Sequence, residues 1–117
     1  MITTFATWYN IPKKFSGTCY IEKEKSFYSF VVFEGFRVFH NDDGPAVVFS
    51  TGEKHWWSYG ELHRIGGPAK ILQVSDREFY YKLYYIGGKE FSHDAYWKQP
   101  EVIKFCLEKI LNIDSID

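Results

Sequence analysis

The side chains best suited to holding a metal or attacking a substrate are His40, His55, His63 and His93, with Asp42, Asp43 and Asp94, and the thiols of Cys19 and Cys106. Their spacing argues against both chemistries. His40 opens the segment HNDDGPA (40–46) and His63 opens HRIGGPA (63–69), an offset of 23 residues. In a row of hairpins such equivalents stand about two strand spacings, roughly 10 Å, apart and point the same way, so they do not converge on one ion. Their shared place beside a turn predicts a structural hydrogen bond instead. The two cysteines lie far apart, with no CxxC and no local histidine signature, so free thiols in a reducing compartment are expected. Gly66-Gly67 and Gly87-Gly88 read as turn glycines, because neither has the strand-to-helix setting of a phosphate cradle. The sequence also lacks a nucleophile elbow and a spaced carboxylate pair at strand ends. No metal, no cofactor and no enzyme activity are expected.

The elements that would position these residues follow from the same repeat. A fixed period of this size marks one supersecondary unit used more than once. Between the two copies lies VVFSTGEKHWWSYGEL, with β-branched and aromatic runs broken by a Ser-Thr-Gly-Glu turn and by Gly60, the grammar of a β-hairpin. Pro45 has no amide to donate and fits the start of a strand. GTCYIE (17–22) and SFYSFVVF (26–33) read as a hairpin and as a degenerate first copy longer by about four residues. The third copy keeps Gly67-Pro68-Ala69 and has a hairpin tip longer by about five residues, around Gln73 to Glu78. A strand is expected over Thr3 to Tyr9, followed by a turn at Ile11-Pro12.

After Ser92 the period changes from strand to helix. Ser92 or Asp94 fits a helix cap, and Pro100-Glu101 fits the first turn of a second helix. Ile103, Cys106, Leu107, Ile110 and Leu111 recur at helical spacing, which predicts an apolar stripe laid on the sheet. The expected fold is therefore α+β: consecutive antiparallel β-hairpin repeats forming one twisted sheet, with a C-terminal amphipathic helix capping it. A single domain over 1–117 is expected, divided into an N-terminal strand and turn (1–16), repeats at 17–43, 44–66 and 67–91, and a helical cap (92–117).

Composition limits the partners. Net charge is −1 and both halves are balanced, so there is no basic footprint for nucleic acid. No apolar run approaches the ~18 residues of a membrane span, and MITTFATWYN lacks the basic start and apolar core of a secretory signal. A cytoplasmic protein is expected. Aromatics make up 21% of the chain, an excess that suits the pleated face of a sheet and also makes a face that binds.

The run Trp56-Trp57-Ser58-Tyr59-Gly60-Glu61-Leu62-His63-Arg64-Ile65-Gly66-Gly67-Pro68-Ala69 resembles the variant MORN repeat of phage and bacterial proteins. The Ile11-to-Gly17 lead-in and the Trp97-to-Leu111 helix are similar to parts of small phage proteins that carry such repeats. Asn41 departs from the usual Arg, and Ile65-Gly66 departs from the acidic pair that Asp42-Asp43 retains. The resemblance implies an elongated sheet of hairpins used as an interaction surface. On this basis the chain is expected to be a non-catalytic interaction module, phage-encoded, that binds and inhibits a host defence or metabolic protein in the host cytoplasm. An antitoxin and a small-ligand or nucleotide sponge are the alternatives, and homo-oligomers through open sheet edges are a further option. Trp56, Trp57, Tyr59, His63, Arg64, Tyr84, Tyr85 and Arg77 are the expected partner-binding residues, with Trp57, Tyr59 and Tyr85 as a stacked row.

Overall fold

The structure, a computed structural model, describes residues 2–73 and 80–115. In chain order it comprises β1 (Thr3–Phe5), a 3₁₀ turn (Trp8–Asn10), β2 (Gly17–Ile21), β3 (Ser26–Phe33), β4 (Phe36–Phe39), β5 (Val47–Val48) and β6 (Lys54–His55). β7 (Trp57–Ser58), β8 (Glu61–Leu62), β9 (Lys70–Gln73), β10 (Tyr80–Ile86) and β11 (Lys89–Phe91) follow, then α1 (His93–Trp97) and α2 (Pro100–Ser115). The main sheet runs β1-β2-β3-β5-β6-β9-β10-β11, with β4 on β3, while β7 and β8 form a separate two-stranded ladder. The fold is α+β, and its sheet is mostly antiparallel.

The repeat is visible in the hydrogen bonds. Ser29 N donates to Ala46 O as Trp56 N does to Ala69 O, and His40 N donates to Ser29 O as His63 N does to Trp56 O. Ala46 N donates to His55 O as Ala69 N does to Leu83 O. Ser29, Trp56 and Tyr84 are therefore one structural position, although the last two stand 28 residues apart and the loops only 23. The difference is the longer β9–β10 hairpin, whose tip, including Arg77, lies outside the described residues. The first unit is longer for a different reason. β7 and β8 pair over two rungs, Trp57↔Leu62 and Ser58↔Glu61, whereas β3 and β4 add Val32↔Arg37 and Phe33↔Phe36 beyond the equivalent pair.

Each unit ends in the same tight turn. Glu34-Gly35, Tyr59-Gly60 and Gly87-Gly88 have positive φ at both central residues, the geometry that matches the twist of a two-residue hairpin. Gly60 is needed twice over, since a Cβ there would also press on Val38 at 3.3 Å. Tyr59 tolerates φ 46° because His40 holds it: the Tyr59 amide donates to His40 Nδ1 at 3.0 Å, and the two rings lie 4.1 Å apart. His63 Nδ1 accepts from Gly87 N at 2.9 Å in the next unit. The two repeated histidines are thus acceptors that fasten each following turn, as their placement predicts.

Two apolar clusters lie on opposite faces of the sheet. Cys19, Tyr28, Val47, His55, Lys70 and Leu83 are partners in register across five strand pairs, so they share one face. Cys19, Tyr28 and Val47, with Ile21 and Phe30, form the first cluster, covered by Phe5, Trp8, Phe15, Phe39, Phe49 and Trp57. Tyr84, the next residue after Leu83, points the other way and packs on Tyr96 and Val102 in the second cluster. The N-terminal segment therefore lids one face at the first unit, and the helices lid the other face at the third. This offset leaves the molecule extended, with a radius of gyration of 16.2 Å against about 13 Å for a compact chain of this length.

Two expectations are corrected. The strand over Thr3 to Tyr9 stops at Phe5, pairs parallel with β2, and gives way to the 3₁₀ turn that seats Trp8 over Phe30 and Tyr28. The apolar stripe of α2 is rotated from the one the spacing suggests. Val102 is fully buried and Phe105 and Cys106 are half-buried, whereas Ile103, Leu107, Ile110 and Leu111 are exposed. Capping falls to α1 and the first turns of α2, where Ser92 accepts from Ala95 N and Pro100 opens the second helix.

Candidate functional site

The loop from His63 to Ala69 is shaped by one buried hydroxyl. Tyr96 on α1 is fully buried; its hydroxyl donates to Arg64 O at 2.7 Å and accepts from Gly66 N at 2.8 Å and Gly67 N at 3.1 Å. Gly66 has φ 100°, and a Cβ there would overlap the Phe105 ring of α2. The loop can therefore meet the helix only because this position is glycine. Fixed this way, the Arg64 guanidinium donates to Pro68 O at 3.1 Å and lies 3.9 Å from the Trp56 ring centroid. Burial lowers the Arg64 pKa, with the Tyr96 hydroxyl acting in the opposite sense.

The sister loop carries the same device with different chemistry. Asn41 donates to Pro45 O at 3.1 Å, where Arg64 serves the third unit, and His40 Nε2 meets Asp42 at 3.0 Å. Asp42 and Asp43 stay exposed. Between this loop, Trp56, the loop at 63–65 and α2 lies an open cleft of about 660 Å³, lined among others by Asp42, Asp43, Trp56, Trp57, His63, Arg64, Phe105 and Lys109. Its lining thus combines the carboxylates of Asp42 and Asp43, the cations of Arg64 and Lys109, and the aromatic residues Trp56, Trp57 and Phe105. Among the described residues no hydrogen-bond partner reaches the buried Trp57 Nε1 or His55 Nε2; an unpaired buried polar group costs about 1–3 kcal/mol.

No protein-family model, curated protein or solved structure matches this chain.

Four of the expected binding residues, Trp56, Trp57, His63 and Arg64, come together at the cleft. Tyr59 does not join them. It is 50% exposed at its turn, between His40 and Phe33. Tyr84 is 7% exposed beneath Tyr96 and so offers no open surface. Tyr85, on the face away from Tyr84, is half-buried and reaches Glu90 at 3.4 Å. The stacked row of Trp57, Tyr59 and Tyr85 does not form; the rings run instead from Trp8 through Phe30 and Phe39 to Trp57. Arg77 lies outside the described residues.

Sequence reasoning missed Phe105 and Lys109 as a wall of the cleft, and missed the role of Tyr96. The signal for Tyr96 was present: a tyrosine one turn after the Ser92 cap, in a helix too short to stand on its own, needs a tertiary anchor. Arg37 was missed as well. It lies over Trp8 and Phe30 at 5.3 and 4.9 Å and donates to Ile11 O and Pro12 O, pinning the N-terminal segment. Cys19 is buried, and burial raises its pKa despite the nearby Arg37, which makes it a poor nucleophile. Among the described residues no three His, Cys, Asp or Glu side chains gather as a metal site, and no helix is long and apolar enough to cross a membrane.

Proposed function

We propose that this chain is a non-catalytic interaction module that holds a protein partner in the cleft between the 40–46 loop and α2. The carrying observation is the cleft itself, whose lining brings aromatic residues together with both acidic and basic side chains. Such a surface suits a segment bearing both signs of charge around an apolar anchor, because Trp, Tyr and Arg dominate interface energetics while flanking charges set orientation. A closed aromatic pocket would suit a small-ligand sponge better, and this cleft is open. The finer reading, a phage-encoded inhibitor of a host defence or metabolic protein, rests on the resemblance to variant MORN-repeat proteins.

Charge reversal at the exposed rim tests the proposal without touching the core. The tagged wild-type chain should retain a stoichiometric partner from bacterial lysate, and Asp43→Lys with Lys109→Glu should reduce recovery at least tenfold while circular dichroism stays unchanged. Recovery of no partner, or equal recovery by the variant, refutes it. An antitoxin role makes a different prediction, growth rescue on co-expression with a toxin, which the same variant should abolish.

A further inference from the structure

A second cavity, shallower and more open than the cleft and of about 410 Å³, shares no residue with it and is lined by Glu24, Tyr28, Phe49, Ser50, Thr51 and Glu53 in addition to the buried Ser26. Its aromatic wall is a corner: the Tyr28 and Phe49 rings meet at 87° with centroids 6.2 Å apart. The Tyr28 hydroxyl donates to Glu24 Oε2 at 2.6 Å, which orients that carboxylate. Burial first, then the bond to Glu24, raise the Tyr28 pKa, so the phenol remains a donor. Among the described residues no cationic side chain lines the cavity, and neither Glu24 nor Glu53 is in an ion pair.

Two unneutralised carboxylates beside apolar rings define the ligand by exclusion. A divalent cation prefers six or more hard oxygen ligands, and an ammonium gives up a tightly held water shell on entering an aromatic site. A guanidinium is weakly hydrated, stacks on rings and bonds a carboxylate through two parallel N–H donors. Free arginine carries its own carboxylate, which the glutamates repel. We propose that this cavity receives an arginine side chain presented by a partner protein, a contact separate from the cleft.

Amide NMR spectra titrated with Nα-acetyl-arginine N-methylamide test this directly. Saturable shifts should appear at residues 24–28 and 49–53, with a Kd on the order of 1–10 mM, the range for one side chain alone. Glu24→Gln with Glu53→Gln should weaken binding at least tenfold, and Phe49→Leu should weaken it by a smaller factor. The lysine counterpart, free arginine and calcium chloride should each bind more weakly. Shifts that do not saturate, that persist in the double variant, or that any of the three comparison ligands matches overturn the proposal. Because the titration needs no partner, its failure leaves the cleft reading standing, and failure of the cleft reading leaves this one standing.

Discussion

Replacing Tyr96 by Phe removes one oxygen atom and tests how the candidate site is built. The ring should stay in place, since it packs on Tyr84 at 4.7 Å and Trp97 at 5.1 Å. What disappears is the shared partner of Arg64 O, Gly66 N and Gly67 N. Gly67 is buried and no other acceptor is in place for its amide, while Gly66 is half-buried and can reach water. At about 1.5 kcal/mol for each of the two groups left without a bond, Arg64 O and Gly67 N, the variant should lose about 3 kcal/mol of stability. For a chain of this size that is a fall of about 10 °C in Tm and roughly 1.5–2 M in the urea midpoint, at unchanged m. Hydrogen exchange should accelerate at Gly66 and Gly67, and the near-UV signal of Trp56 should change as Arg64 loosens above it. Tyr85→Phe is the reference, because its hydroxyl reaches only the exposed Glu90 carboxylate at 3.4 Å. A loss below about 1 kcal/mol in Tyr96→Phe, or one no larger than in Tyr85→Phe, would refute the idea that this hydroxyl organises the loop.

The histidine latches should be separable. His63→Ala should raise exchange at Gly87 and His40→Ala at Tyr59, each costing about 1 kcal/mol and neither disturbing the other turn. Acid should weaken the fold through His55, whose pKa is lowered first by burial and then by Lys70. A depressed histidine favours the neutral form when folded, so its contribution is complete above the unfolded value of about 6.5 and is lost as pH falls toward the folded value. His55→Gln should flatten that part of the stability profile, measured by urea midpoints between pH 7 and 5. On α2, Leu107→Lys and Ile110→Lys should leave stability within about 0.5 kcal/mol, whereas Val102→Lys buries an unpaired charge and should cost more than about 3 kcal/mol.

The sequence was most informative where chemistry and geometry coincide at one residue. His40 and His63 recur because each following turn needs an acceptor at its first amide, and Gly60 recurs with them because that turn needs a left-handed backbone. The lengths of both insertions were legible too, since a repeat makes surplus residues countable. Orientation was not. Helical spacing in α2 supports two overlapping apolar stripes about 100° apart, and only the placement of α1 decides that Val102 and Phe105 turn inward. The burial of Tyr84 escaped for the same reason: strand alternation separates Tyr84 from Tyr85 but does not say which face receives the helix. The cleft combines residues from three distant segments, and no spacing along the chain records that meeting.

The cleanest copy in the sequence is the least self-supporting part of the fold. β5, β6, β7 and β8 are two residues each, too short to persist as an isolated hairpin. Unit two is held by its neighbours, through Ser29 N to Ala46 O on one side and Trp56 N to Ala69 O on the other. The lids do not cover it evenly, because the N-terminal segment closes on the first unit and Tyr96 closes on the third. The cleft lies where this middle unit meets α2, so a partner bridging Asp43 and Lys109 would tie this unit to the helix whose Phe105 packs against Gly66. Binding energy there would be spent partly on ordering Trp56 and Arg64, already stacked at 3.9 Å, which is a small entropic cost for two long side chains. On the proposed reading, the repeat would supply a pre-formed anchor that the two lids leave uncovered.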